Sequence, residues 1–215
     1  MFRDVRLEPC HDVKNLGVIF DSYLSWDKHI SMVTRRCYGM LSGLSHLRHY
    51  LPEGVLSMLV SALVMSHIRY CLSVYGNGTI TNLNRIQKII HFAARVISGR
   101  RKFDRISDVL RELGLLSAPA LVNYHTLTLV HGVLRHEEPE ELTRLFRRCG
   151  DMRRRRTRQD DALQTPRCRT TYGQRQFAFR AAKLYNDLPR ELTERSLPPF
   201  RRALQRHLAV PDRPP

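Results

Sequence analysis

Apolar residues along most of this chain recur every three or four positions, which is the period of an α-helix buried on one side. The first such pattern starts after Ser25, a residue type that favours helix N-termini. Its apolar positions are Trp26, Ile30, Val33, Cys37, Leu41, Leu44 and Leu47. A second helix is predicted over 83–98 and ends at Gly99, with inward positions Leu83, Ile86, Ile89, Ile90, Ala93 and Ile97. These patterns predict two long amphipathic helices that share a core.

Between these two helices, residues 52–75 are apolar on nearly every side, which predicts the central buried helix of the protein. Further helices are predicted near 105–113, 118–135 and 139–147, and again over 173–188 and 198–208. Glycines and prolines separate them, as expected for residues that interrupt helices. The chain therefore reads as a set of helices with short connections.

The first twenty residues follow a different pattern, because apolar and polar positions alternate in the way that β-strands require. Val5 and Leu7 predict one strand, residues 9–14 predict a turn, and the apolar run 16–20 predicts a second strand. The predicted fold class is mostly α, a helical bundle preceded by a short β-hairpin.

Charge is the most unusual bulk property of the sequence. The 36 Lys and Arg residues outnumber the 20 Asp and Glu residues, giving a formal net charge of +16. Such an excess favours polyanionic partners, nucleic acid before anionic membrane surfaces. The longest uncharged apolar run, residues 55–68, is shorter than the roughly 20 residues of a membrane span. We therefore expect a nucleic-acid partner and no membrane association.

Basic side chains concentrate in two places that are candidates for phosphate contact. On the helix over 83–98 the spacing aligns four residues in one stripe, and further cations follow the helix: Arg85, Lys88, Phe92 and Arg95, then Arg100, Arg101 and Lys102. The second place is an arginine-rich segment, 147–171, predicted to be solvated, whose densest part is Arg153, Arg154, Arg155 and Arg156. Cations at helical spacing can follow a phosphate backbone, and an aromatic ring among them can stack on a base. The alternatives are an ordinary solvated helix face for the stripe, and a flexible linker or localisation signal for the arginine-rich segment.

Catalytic chemistry is not indicated by any motif. Two-metal polymerases and nucleases need carboxylates that converge on paired Mg²⁺ ions, and Asp160-Asp161 lies among arginines with no strand on either side. There is no nucleophile elbow, phosphate-binding loop or zinc-binding HExxH motif. Two groups stand out among the ten histidines: His46 with His49, and His125 with His131 and His136. Neither group has the spacing and the ligands that a metal site requires. The five scattered cysteines predict reduced, mostly buried thiols. We therefore predict no catalytic residue, no metal and no cofactor.

Six short motifs, taken in order, resemble the C-terminal part of non-LTR (LINE-type, Jockey- or CR1-like) retrotransposon reverse transcriptases. The first two are Leu16-Gly17-Val18-Ile19-Phe20-Asp21 and Leu24-Ser25-Trp26-Asp27-Lys28-His29-Ile30. The middle two are Leu83-x-x-Ile86-Gln87-Lys88 with Ala93-x-x-Val96-Ile97, and Ile106-x-x-Val109-Leu110-x-x-Leu113-Gly114. The last two are Ala182-Lys183-Leu184-Tyr185-Asn186-Asp187-Leu188-Pro189 and Phe200-Arg201-x-x-Leu204. Tyr185 stands where the family usually has Trp, and the resemblance covers roughly residues 5–208.

This resemblance implies a division of the chain and a role for it. Residues 1–21 would be the terminal palm-like hairpin, 22–146 a thumb-like helical bundle, 147–171 the arginine-rich linker, and 172–210 a C-terminal helical segment. The family's catalytic aspartates would lie before residue 1, so the chain alone is expected not to be an enzyme. The expected partner is RNA or an RNA/DNA duplex, held without sequence preference, together with the remaining polymerase domains or another protein.

Two alternatives to this role stay open at the sequence level. The helices can form a co-opted protein-interaction module, or the chain can be a non-functional transposon remnant whose apolar strand 16–20 is an exposed edge. The first residues carry charges instead of a hydrophobic leader, so an intracellular location, nuclear or cytoplasmic, is expected.

Overall fold

A short hairpin precedes a series of helices in the computed structural model, which describes residues 10–150 and 161–209. The strands are β1 (Asp12–Asn15) and β2 (Val18–Asp21). The longer helices are α1 (Asp27–Leu47), α2 (Glu53–Leu59), α5 (Ile80–Ser98), α7 (Ala118–His136), α10 (Phe177–Asn186) and α12 (Leu197–Ala209). Short helices complete the set: α3 (Ser66–Arg69), α4 (Leu72–Tyr75), α6 (Ser107–Glu112), α8 (Glu140–Thr143), α9 (Thr171–Gln174) and α11 (Arg190–Thr193). The predicted fold class, mostly α behind a β-hairpin, is confirmed.

The β-hairpin differs from the prediction in its register. Strands β1 and β2 pair antiparallel with Asn15 opposite Val18, so that Leu16 and Gly17 form a two-residue turn. Both turn residues have positive φ, 45° and 83°, as type I′ hairpins require. The predicted turn over 9–14 is therefore wrong where it overlaps β1, and the strand proposed at 5–7 lies outside the described residues. The hydroxyl of Tyr70 donates to the carbonyl of Leu16 at 2.8 Å and holds the turn against the helices.

The connection from the hairpin to α1 is organised by Asp21. Its carboxylate accepts hydrogen bonds from the backbone N–H groups of Tyr23, Ser25 and Trp26, at 3.1, 2.9 and 2.8 Å. Burial acts to raise the pKa of Asp21, but the N–H groups of Ser25, Trp26 and Tyr23 outweigh it and lower the pKa below its usual value. The residue before α1 is Trp26 in the left-handed region, and not Ser25 as predicted. Asp21 thus fixes the direction in which α1 begins.

Helices α1 and α5 form the main core with β2 and the segment 53–75. The predicted inward positions from Trp26 to Leu44 and from Ile86 to Ile97 are buried. The pattern did not select five further side chains that are also buried: His29, Thr34, Asn82, Ala94 and Val96. Two predicted inward positions differ: Leu47 is 49% exposed, and Leu83 is only half-buried although it packs on the core. Thr79 caps α5 by accepting from the N–H of Asn82, which moves the start of this helix ahead of the predicted residue 83.

Residues 53–75 do not form the single, fully buried helix that the sequence predicts. A π-helical stretch, Val60–Met65, separates α2 from α3, and Cys71 in the left-handed region separates α3 from α4. Leu56, Val64, Ile68 and Tyr75 are buried, but the opposite side exposes Met58, Leu63, Tyr70 and Val74. One face of this segment therefore remains apolar and open to solvent.

Helix α7 joins the main core to the C-terminal helices. Its first turns bury Leu121 and Val122 in the main core. Later positions pack against two smaller clusters, Val130 and Val133 with α10, and Leu127 with α11 and α12. At its centre lies His131, which contacts both groups of C-terminal helices. Helix α7, with α5, is therefore the central buried element.

The described ends of the predicted arginine-rich linker are ordered against the C-terminal helices. The N–H of Cys149 donates to the carbonyl of Ala162, and the N–H of Gln164 donates to that of Arg147, each at 2.8 Å. Leu163 is buried and exchanges two hydrogen bonds with the side-chain amide of Asn186. The prediction of a fully solvated segment over 147–171 is therefore wrong at these ends. Leu163 packs in the core, and the polar and basic composition of the segment does not indicate this contact.

Two further sequence predictions concern thiols and membranes. All five cysteines are free, but only Cys37 is buried, so the expectation of mostly buried thiols is wrong.

Across the described ranges, the helices lack an apolar stretch of the length that crossing a bilayer requires.

Candidate nucleic-acid interface

A groove of about 560 Å³ runs along the surface between α1 and α5. We call it the α1–α5 groove. Its lining comes from α1 and the residue after it, from α5, and from the segment that follows α5: Tyr38, Ser45, Arg48, Lys88, His91, Phe92, Arg95, Val96, Arg100 and Lys102. Five of these ten residues are Lys or Arg and none is acidic, so the groove is a concave basic surface.

Two aromatic rings lie among these cations. Tyr38 of α1 and Phe92 of α5 have ring centroids 5.9 Å apart and planes inclined by 34°. Tyr38 is 42% exposed, whereas Phe92 is half-buried and packs against the main core. The inner ring is thus fixed by the core, and the outer ring offers an accessible face for stacking on a base or sugar.

The cations of the groove are not neutralised by neighbouring carboxylates. Within residues 10–150 and 161–209, the ion pairs join Lys28 to Asp12, Arg111 to Asp108, Arg144 to Glu140, and Arg148 to Asp161. None involves a groove residue. Like charges held close together in a concave surface create a positive potential that a polyanion relieves. The groove therefore favours phosphate groups over neutral ligands.

Arg48 reaches the groove by crossing from the end of α1 to the end of α5. Its guanidinium lies directly over Gly99, where any β-carbon would collide with the guanidinium. Gly99 also ends α5 with a φ of 75°, a conformation that glycine adopts without strain. Glycine at this position therefore serves both the helix end and the approach of Arg48.

The structure brings together five of the residues that the sequence selected and separates two others. The groove is lined by Lys88, Phe92, Arg95, Arg100 and Lys102. Arg95 also donates from Nε to the carbonyl of Arg101 at 3.2 Å. Arg85 lies one turn beyond, where it donates to the hydroxyl of Ser31 at 3.0 Å. The side chain of Arg101 does not line the groove, and its backbone N–H donates to Asp104. The stripe is therefore not a free helix face but one wall of a groove against α1.

The remaining candidates, Arg153, Arg154, Arg155 and Arg156, lie outside the described residues. Arg148, near one described end of that segment, pairs with Asp161 at 3.7 Å. Asp161 therefore balances the charge of a neighbouring arginine.

Sequence analysis missed Arg48 and Tyr38. Tyr38 lies on α1 and Arg48 directly follows it, and the sequence pattern of this helix was interpreted only as core. Tyr38, Ser45 and Arg48 are spaced by seven and three residues, a helical repeat that places them on one side of the helix. That spacing is the signal that would have found the second wall of the groove.

His91 lies in the groove without adding charge to it. Burial, and secondarily the nearby Arg95, lower the pKa of His91 below its ordinary value. Its Nε2 lies 2.7 Å from the side-chain nitrogen of Gln87, whose oxygen accepts from the N–H of Ala118. Since Gln87 donates there, His91 accepts, which requires its neutral form.

Histidines also make the stability of the protein depend on pH. Burial lowers the pKa of His29, His91 and His131, and lowers that of His125 to about 4. Between these values and the ordinary pKa near 6.5, the unfolded chain binds more protons than the folded one, so the free energy of unfolding falls as pH falls. We expect a lower urea midpoint at pH 5 than at pH 7.5 in urea titrations followed by circular dichroism. Equal midpoints would contradict the burial of these rings.

The side chains of the types that bind metal ions are dispersed. In the part of the chain that the structure describes, no three His, Cys, Asp or Glu side chains are placed to share an ion. His46, His49 and His136 are exposed, His131 is enclosed by protein hydrogen bonds, and His125 borders a cleft beside α12.

One known protein shows similarity to this chain. It is a "Probable RNA-directed DNA polymerase from transposon BS" of Drosophila melanogaster, 26% identical over 137 aligned residues. The alignment takes in 61% of this chain and 15% of the fly protein, so the chain spans a small part of that relative. No family model and no solved structure matches. The similarity supports an origin related to a transposon-encoded reverse transcriptase.

Proposed function

We propose that this chain is a nucleic-acid-binding part of a non-LTR retrotransposon reverse transcriptase, and that it holds a template–primer duplex through phosphate contacts in the α1–α5 groove. The observation that carries the proposal is a set of five cations around Tyr38 and Phe92, none of which forms an ion pair within the described residues: Arg48, Lys88, Arg95, Arg100 and Lys102. Phosphate contacts of this kind supply sequence-independent affinity.

The mode of recognition follows from the chemistry of the groove. Guanidinium and ammonium groups on opposite walls can contact phosphates along one strand, and Tyr38 can stack at a sugar or at an unpaired base. No amide or carboxylate side chain lines the groove to read base edges. RNA-containing duplexes are recognised mainly by shape and by backbone contacts, so we expect little sequence preference.

The similarity to a transposon polymerase and the six ordered motifs support the more specific part of the proposal. In it, residues 1–21 correspond to the end of the palm, 22–146 to the thumb and 172–210 to a C-terminal helical segment. The chemistry of nucleotide addition is assigned to other parts of such a polymerase, and this chain contributes the grip on the duplex. Its place of action would be the nucleus or the cytoplasm, wherever the template is copied.

Salt dependence of duplex affinity tests this function. Each phosphate neutralised contributes about −0.9 to the slope of log affinity against log salt concentration. The five groove cations therefore predict a slope of about −4.5, which fluorescence anisotropy with a labelled RNA/DNA duplex between about 50 and 200 mM salt would measure. Two duplexes of unrelated sequence should give the same slope. An affinity independent of salt would contradict the proposal and favour a protein-interaction module or a remnant without function.

A further inference from the structure

A second basic cleft lies beside α7, where α3 and α12 approach this helix. Two adjoining depressions, of about 810 and 360 Å³, meet there. Only four residues line both: Arg69, His125, Thr128 and Arg201. All four are polar or charged, although many of the other lining residues are apolar. The junction of the two depressions is therefore a small polar site lined by residues of α3, α7 and α12.

Two polar atoms at this junction have no protein partner. Nε2 of His125 and Oγ1 of Thr128 are both shielded from solvent, and neither forms a hydrogen bond within the described residues. His125 and Thr128 are three residues apart on α7, so they lie on one face of it. A buried polar atom without a hydrogen bond costs about 1–3 kcal/mol. A ligand at the junction that reaches these two atoms would supply the missing bonds.

Arg69 and Arg201 supply positive charge at the same place. Neither pairs with a carboxylate in the described ranges, and both lie close enough to His125 to help lower its pKa, after burial as the main cause. Glu138 borders the wider depression but not the junction. Two guanidinium groups facing a hydroxyl and an imidazole form a donor set suited to a doubly charged tetrahedral oxyanion.

We propose that Arg69, His125, Thr128 and Arg201 form a binding site for a phosphoryl group at the junction of α3, α7 and α12. The two arginines would neutralise its charge, and Thr128 and the Nε2–H of His125 would each donate one hydrogen bond. The phosphoryl group can belong to a small phosphate compound or to a nucleic-acid strand, and the recognition chemistry is the same. The site is separate from the α1–α5 groove, and it does not require the proposed duplex grip.

Titration of the protein with inorganic phosphate and with pyrophosphate, against chloride at equal ionic strength, tests this site. The His125 ring resonances, assigned with His125→Gln, should shift saturably. Arg69→Gln and Arg201→Gln should each weaken binding at least about tenfold, because each removes a charge-assisted contact. Arg202→Gln, a neighbouring exposed cation of α12 that borders neither depression, should leave binding unchanged. Thermal melts would confirm that all variants remain folded.

A second titration distinguishes the source of the phosphoryl group. A short oligonucleotide with a 5′-phosphate is compared with the same oligonucleotide lacking it. Saturable shifts at His125 with inorganic phosphate or pyrophosphate support a site for small phosphates, and shifts with the oligonucleotide alone support a strand phosphate. The proposal is overturned if no probe moves the His125 resonances, or if Arg202→Gln weakens binding as much as Arg201→Gln. An Arg48→Gln/Lys88→Gln variant should retain the site, which separates its failure from that of the groove.

Discussion

Replacing Arg48 and Lys88 together by glutamine lowers the affinity for an RNA/DNA duplex about 50-fold at about 0.1 M salt, because each lost phosphate contact removes nearly one order of magnitude. The two side chains come from opposite walls of the α1–α5 groove, so the variant removes a proposed phosphate contact from each wall. Neither forms an ion pair with a described residue, and the fold should therefore tolerate the change. The salt slope should also become shallower by about 2.

A matched control separates a local groove from diffuse positive charge. Arg202→Gln with Arg206→Gln removes two charges from exposed positions of α12 that do not line the groove. Fluorescence anisotropy titrations at several salt concentrations should show an affinity close to that of the unchanged protein. If both double variants lose affinity equally, the protein binds through its net charge and the groove has no special role.

Replacing His131 by alanine lowers the free energy of unfolding by about 3–5 kcal/mol, because it leaves a cavity and two unpaired polar groups. His131 is fully buried. Its Nε2 lies 2.9 Å from the carbonyl of Arg195 and its Nδ1 lies 3.0 Å from the hydroxyl of Tyr185. Because a carbonyl only accepts, Nε2 carries the proton and Nδ1 accepts from Tyr185. The ring also stacks on Phe200, with centroids 3.8 Å apart.

Denaturant unfolding followed by circular dichroism measures this cost. Tyr185→Phe keeps the stacking and removes one hydrogen bond, so it should cost about 1–2 kcal/mol. His136→Ala, at an exposed position of the same helix, should change stability by less than about 0.5 kcal/mol. Equal effects of His131→Ala and His136→Ala would show that α10 and α12 are not anchored on α7 as described.

The sequence motifs that resemble the reverse transcriptase family explain the fold more than the binding. Asp21 and Trp26 of the early motifs form the junction between hairpin and α1, with the Trp26 ring against Phe20 at 5.1 Å. Tyr185 and Phe200 of the last two motifs meet at His131. Such positions pack or hydrogen-bond within the protein, so the motifs specify how distant segments assemble.

Helix periodicity predicted the fold class and most of the core, because burial on one side of a helix imposes a three- and four-residue spacing. It could not predict the π-helical stretch Val60–Met65 or the hairpin register, where Leu16 adopts a positive φ that its side chain disfavours. A tertiary contact holds the hairpin turn. Tyr70, far along the chain, holds the Leu16 carbonyl, and no local pattern contains that contact.

Helical spacing in the sequence predicted one wall of the α1–α5 groove but not the other. Lys88, Arg95, Arg100 and Lys102 follow one helix and its extension, so their grouping is local. Arg48 joins them only because α1 packs along α5 and Gly99 leaves space above the helix end. Arg85 was selected by spacing, yet Ser31 on α1 engages its guanidinium. Which cations stay available therefore depends on the neighbouring helix.

Ultraviolet crosslinking of the protein to a labelled RNA/DNA duplex, followed by peptide mass spectrometry, shows whether nucleic acid binds in the α1–α5 groove. The aromatic rings of the groove are the reporters, since Tyr38 has an accessible face beside five cations. We predict crosslinks at Tyr38 that disappear in the Arg48→Gln/Lys88→Gln variant. Crosslinks confined to exposed aromatics outside the groove, such as Tyr23 or Tyr50, would contradict the assignment of the α1–α5 groove as the nucleic-acid interface.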